Sequence, residues 1–212
     1  MLAFMTTVMA PVVSLWCYMY LRDVTYNMFP VIRIFVIGAL LVFPVAVLQY
    51  AFEVENVFTG ILSKSFFLYG FIEEGLKWLM LFIFGYQQSY LKHPRDGILL
   101  SVSLALGFAT VENGLYLIAS GPELVLPRMF FPVASHTIYG IIMGYYMVNA
   151  IGQKKKFFYF QWALFIPVFL HGMYDFILMA FEEYFLFVIG PFMILLLFLA
   201  YSKLKKTHHL QI

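Results

Sequence analysis

Apolar residues run along this chain in long blocks, with neither the alternation of a half-buried strand nor extended polar stretches between them. Seven blocks can be marked, roughly 2–21, 31–52, 66–86, 98–119, 129–150, 160–181 and 184–202. At 1.5 Å per residue, each is long enough as a helix to cross a hydrocarbon core of about 30 Å. Outer-membrane barrels are built from short alternating strands, and these unbroken runs argue against that class. The connections are short, and no repeat or low-complexity linker separates one part of the chain from another. The expected architecture is therefore all-α: one integral-membrane domain over residues 1–212, a polytopic helical bundle.

Composition agrees. Hydrophobic residues make up 63% of the chain and charged residues 11%, under half the share of a soluble domain. That is too little polar surface for a globule in water. The net charge of +2 gives no reason to expect a nucleic-acid partner; the expected surroundings are a lipid bilayer. The single Cys17 excludes an internal disulfide and a thiolate-rich metal site. The first block lacks a basic n-region and is followed by Arg22, so it reads as a retained span rather than a signal peptide.

Charge placement then orients the bundle. With the N-terminus outside, the inner ends and loops hold Arg22, Arg33, Lys92, Arg95, Lys154, Lys155, Lys156, Lys203, Lys205 and Lys206, and the outer ones only Lys64 and Arg128. Ten against two follows the positive-inside bias. Glu53, Glu55, Glu123, Glu182 and Glu183 fall outside. About seven spans, N-terminus out and C-terminus in, is the expected topology.

Five charges remain within the blocks: Glu73, Glu74, Lys77, Glu112 and Asp175. Each costs about 2.5–3.5 kcal/mol at mid-membrane on insertion scales, on the order of 10–15 kcal/mol together if unpaired. That rivals the whole stability of a domain, so a shared polar cavity is expected. Counted from the helix ends, Glu73, Glu112, His136, His171 and Asp175 lie roughly 10–15 Å below the outer surface. Glu73 and Glu74 both reach Lys77, four and three residues on. Being adjacent, they point about 100° apart, so one faces the cavity while the other braces Lys77 or the next helix. His171 and Asp175 share a face, where the carboxylate orients the imidazole. Gly70, Gly75, Gly107, Gly114, Gly140, Gly144 and Gly172 are expected to admit close helix packing. Pro132 and Pro167, each four residues before a histidine, are expected to open their helices near the site.

Several classes compete for such a layer. Buried ion pairs and inter-helix hydrogen bonds are the structural reading of each group. A proton-coupled transporter or channel would use acids and histidines at depth, but transporters show repeats and midplane sites. Zinc has candidate ligands in His136, His171, Glu112 and Asp175, yet no H-E-x-x-H pair is present. A metal-free carboxylate mechanism ranks above it, with no cofactor expected and zinc kept open.

The order Glu73-Glu74-x-x-Lys77, Phe108-x-x-x-Glu112, His136 and His171-x-x-x-Asp175 resembles the PrsW family of bacterial membrane proteases, related to the glutamate-dependent CAAX-processing membrane proteases. "YLRD", "LVFPVAVLQYAFEVEN" and "GFATVENGLYLI" are similar to family members of Bacillus-type organisms, and the likeness covers nearly the whole chain. The resemblance implies a multi-pass endopeptidase of the bacterial plasma membrane making the first, outer-side cut in a membrane-anchored anti-sigma factor. That cut starts the stress-response proteolysis that frees an extracytoplasmic-function sigma factor. The wider superfamily has an Arg after the Glu pair and Phe-x-x-x-His as second motif. Here the basic residue is Lys77, one position closer, and Glu112 stands for the histidine, which leaves His136 to supply an imidazole.

The expected chemistry is hydrolysis by a water activated by Glu73, with Glu74 as understudy. A carboxylate partly stripped of water among like charges is the stronger base. His171, oriented by Asp175, would hold the water or stabilise the oxyanion. Glu112 and His136 complete the catalytic set, Lys77 balances charge and Phe108 supports it. No Ser or Cys nucleophile with a base partner stands out in the layer.

Overall fold

The computed structural model describes residues 9–15, 28–91, 93–120, 125–151 and 153–209. All secondary structure among them is helical. Helix α1 covers residues 9–15, and the rest of the first apolar block lies outside the described residues. Then follow α2 (Met28–Val54), a composite α3 over residues 61–86, α4 (Pro94–Ser120), α5 (Val125–Asn149), α6 (Lys156–Ala180) and α7 (Phe185–His209), with a 3₁₀ turn at Glu182–Tyr184 before the last. Among the described residues, four stretches are long and apolar enough to cross a membrane: Met28–Val54, Arg95–Ala119, Lys156–Ala180 and Glu182–Thr207. The charged α3, which carries Lys64, Glu73, Glu74 and Lys77, is not among them.

Helix α4 is the centre. Leu99, Leu100, Val102, Leu104, Leu106, Phe108 and Ala109 are all buried along it, and it packs between α2 and α5. Small residues set how close the axes come. A Cβ on Gly107 would strike the carbonyl of Phe35, and one on Gly38 the carbonyl of Leu104. The π-helical part of α3 and α6 meet the same way: a Cβ on Gly172 would stand 2.6 Å from the Phe66 ring, and one on Gly70 2.9 Å from the Val168 carbonyl. The expectation of close packing therefore holds at these glycines. It fails at Gly75, where an added Cβ would meet nothing within 4 Å.

The outward faces are apolar. Leu40, Phe43 and Val47 of α2, Phe165 and Phe169 of α6, and Ile194 and Phe198 of α7 are all exposed. In water such a continuous surface would drive association; against lipid tails, which are themselves apolar, it carries no such penalty. The basic clusters Lys154–Lys156 and Lys203–Lys206 lie at the opposite end of their helices from Glu182 and Glu183.

Two local features depart from expectation. Pro132 and Pro167 do not interrupt their helices, since α5 and α6 run through them. The irregularity lies in α3 instead. Its Lys64–Phe71 stretch is π-helical, then Ile72–Leu81 is α-helical, then Phe82–Tyr86 is again π-helical. Wide turns of this kind are frequent at functional sites. Here one ends at Phe71, two residues before Glu73, and shifts the azimuth at which both glutamates leave the helix.

Candidate active site

Four helices place their polar groups in one cluster: α3 gives Glu73, Glu74 and Lys77, α4 gives Phe108 and Glu112, α5 gives His136, and α6 gives His171 and Asp175. Glu73, Glu74, Lys77, His136 and His171 are each at most 5% exposed. All eight residues singled out from the sequence thus come together.

Lys77 is the hub. Its Nζ donates to Glu74 Oε1 at 2.9 Å and to Glu73 Oε2 at 3.3 Å, and lies 3.3 Å from His136 Nδ1. The ring of Phe108 lies against it, 3.8 Å from Nζ to the centroid. An ammonium has no acceptor, so His136 must accept at Nδ1 and carry its proton on Nε2. That proton is donated to Glu112 Oε2, at 2.8 Å. The chain Lys77–His136–Glu112 therefore assigns the tautomer of His136. It also answers the missing histidine of the second motif: Glu112 is the acceptor that positions an imidazole arriving from the next helix.

His171 sits on the other side. Its Nδ1 is 3.0 Å from Glu74 Oε1. Its Nε2 lies 3.3 Å from Asp175 Oδ2, at ion-pair distance but without hydrogen-bond alignment, and 3.8 Å from Glu73 Oε2. Glu74, rather than Asp175 alone, thus orients this ring. Tyr139 stacks on it, with centroids 5.2 Å apart and planes at 18°, and the His136 ring stands edge-on at 5.4 Å.

A cavity of about 530 Å³ opens beside the cluster. Glu73, Glu112, His136, His171 and Asp175 line it, with Asn113, Tyr69 and Tyr116; Glu74 and Lys77 do not. Glu182, Phe185 and Leu186 complete the wall, so the cavity lies at the end where α6 passes into α7. The two glutamates separate as their helical spacing requires: Glu73 faces the cavity and Glu74 is a buried brace. A water in this cavity can be served by the Glu73 carboxylate and the His171 imidazole, with His136 held between Lys77 and Glu112.

Two residues of the cluster escaped the sequence reading. Gln49 donates from Nε2 to Glu73 Oε1 at 3.1 Å, and Tyr139 stacks on His171. Each left a faint signal: a lone amide in an apolar run, and an aromatic three residues after His136 on the same helical face.

The donor set suits zinc in type, since Glu73, Glu74, His136 and His171 present ligand atoms within 4.8 Å of one another. It does not fit a metal as arranged. Lys77 Nζ stands among these atoms, and a divalent ion placed there would face an ammonium instead of an open position.

Comparison with known proteins places this arrangement. A family model described as "PrsW family intramembrane metalloprotease" matches residues 30–202. The chain is 53% identical to a protein named Protease PrsW from Shouchella clausii, over 98% of both chains. It is 46% identical to the one from Halalkalibacterium halodurans over 99% of both, and 40% identical to the one from Bacillus subtilis over 98% of this chain and 96% of that one. No solved structure matches it significantly. A membrane protein with glutamates and histidines gathered around a cavity, matched over almost its whole length by proteases of one kind, belongs to the PrsW family of intramembrane proteases.

Proposed function

We propose that this protein is a metal-free, glutamate-dependent endopeptidase of the bacterial plasma membrane. It makes the first, outer-side cut in a membrane-anchored anti-sigma factor and so starts release of an extracytoplasmic-function sigma factor. The observation that carries the chemistry is the division between the glutamates: Glu73 lines the cavity while Glu74 is held behind it by Lys77 and His171. The seven-span topology, N-terminus out and C-terminus in, is part of the proposal. It is supported by acidic Glu182 at the cavity end and lysine clusters at the other, which turn the cavity towards a substrate's juxtamembrane ectodomain.

In this reading Glu73 takes a proton from a water admitted to the cavity as its oxygen attacks the scissile carbonyl carbon. Gln49 and Lys77 hold the carboxylate in place, each on a different oxygen, and a carboxylate keeps further lone pairs for the water. With Nδ1 held by Glu74, a protonated His171 offers its Nε2–H to the negative charge that develops on the carbonyl oxygen, while His136, committed to Lys77 and Glu112, keeps those two side chains in place. Collapse breaks the C–N bond. The proton on Glu73 passes to the leaving nitrogen, giving a carboxylate and an amine and returning Glu73 to its ionised form.

The test is reconstitution in liposomes with a membrane-anchored anti-sigma factor, with and without chelator. Wild type should cleave in both conditions and Glu73→Gln in neither. Loss of cleavage on chelation, or full cleavage by Glu73→Gln, would sink the proposal.

A further inference from the structure

The position of the Lys77 side chain is more specific than charge balance requires. An ammonium has three N–H donors, and here three acceptors surround it: Glu74 Oε1 at 2.9 Å, Glu73 Oε2 at 3.3 Å and His136 Nδ1 at 3.3 Å. Acceptors about 3 Å from a tetrahedral centre stand about 4.9 Å apart. Ligands about 2.0 Å from a zinc ion stand only about 3.3 Å apart. The ligand atoms of Glu73, Glu74, His136 and His171 all lie within 4.8 Å of one another, and three of these residues hold Nζ at 2.9 to 3.3 Å, the distance of ammonium hydrogen bonds. Beside it the Phe108 ring adds a cation–π contact and no metal ligand. Lys77 is 1% exposed, and it rides on the same helix as two of its acceptors, so this cation is tethered and cannot exchange.

We propose that Lys77 is the resident cation of the site: its ammonium stands where a divalent ion would otherwise sit among Glu73, Glu74, His136 and His171, and it closes the site to metal. The inference rests on the metal-free reading above and adds to it a latent property. With the ammonium removed, two carboxylates and two imidazoles are left facing one another, a donor set of the kind that binds zinc or cobalt. A compact ammonium suits this three-acceptor cradle, whereas a planar guanidinium would not.

Co²⁺ is the probe, added to the full-length protein in detergent after chelator treatment. Lys77→Met should take up about one Co²⁺ per chain with the visible absorption of a low-coordinate nitrogen–oxygen site. Wild type and Lys77→Arg should take up none. Adding Glu74→Gln to Lys77→Met should weaken uptake roughly tenfold or more. Because Lys77→Met leaves buried carboxylates unpaired, thermal unfolding is read alongside: Co²⁺ should raise its midpoint at concentrations that leave wild type unchanged. If the variant is lost in the absence of the ion, purification with Co²⁺ should recover it. Wild type that purifies with about one zinc per chain needed for cleavage overturns both this inference and the metal-free reading. A metal-free, active wild type whose Lys77→Met variant neither takes up Co²⁺ nor is rescued by it overturns this inference alone.

Discussion

Exchanging Glu73 for glutamine and, separately, Glu74 for glutamine asks whether adjacent carboxylates on one helix do different work. Glu73 lines the cavity, and its partners survive the change: Lys77 keeps Glu74 at 2.9 Å, and Gln49 can bond a glutamine carbonyl as it bonded Oε1 at 3.1 Å. The fold should lose about 1 kcal/mol, the worth of one hydrogen bond. A missing general base costs about 10²–10⁴ in rate, or about 3–5 kcal/mol in the barrier at 1.36 kcal/mol per tenfold. Glu74 is the reverse case. It is 1% exposed and holds both Lys77 and His171 Nδ1 at 3.0 Å or less. Neutralising it leaves a buried ammonium short of its nearest counter-charge, a change that costs about 3–5 kcal/mol when a buried pair is broken. The assay is a single-turnover cleavage rate in liposomes paired with a thermal unfolding midpoint in detergent. Glu73→Gln should lose turnover at a near-native midpoint; Glu74→Gln should lower the midpoint. A stable, inactive Glu74→Gln beside an active Glu73→Gln would refute the assignment.

Other outcomes follow from single contacts. Gln49→Leu removes the amide on Glu73 Oε1 and should lower kcat by about tenfold, the scale of one lost orienting contact, with a similar KM in the same cleavage assay. Gly172→Ala places a methyl against Phe66; overpacking of this kind costs about 1–3 kcal/mol, read as a lower unfolding midpoint and reduced cleavage through displaced His171. Tyr139→Phe loses one long hydrogen bond, 3.3 Å to the Leu170 carbonyl, but keeps the stack on His171, so its cleavage rate should stay near wild type while Tyr139→Ala loses it. A reporter fused after residue 212 should be active only on the cytoplasmic side; activity outside would overturn the proposed orientation.

What the sequence determined by itself was the solvent and the inventory. Long apolar blocks can be satisfied only as helices in lipid, and charges left inside them are too costly to scatter, so Glu73, Glu74, Lys77, Glu112, His136, His171 and Asp175 were legible before any fold was known. Helical periodicity even required the two glutamates to diverge. Which one faces the cavity was decided by the tertiary structure, because the π-helical turns at Lys64–Phe71 reset the azimuth of everything after them, and no hydrophobic pattern records that shift. The partners of each group were likewise beyond local spacing. Sequence pairs His171 with Asp175, four residues on, yet the aligned hydrogen bond of its ring is to Glu74 on another helix. Gln49 reaches Glu73, and His136 reaches Glu112, for the same reason. Contacts within a helix follow from 3.6 residues per turn, whereas contacts between helices depend on how closely the axes approach, here set by Gly38, Gly70, Gly107 and Gly172, whose missing side chains bring the cluster within bonding distance.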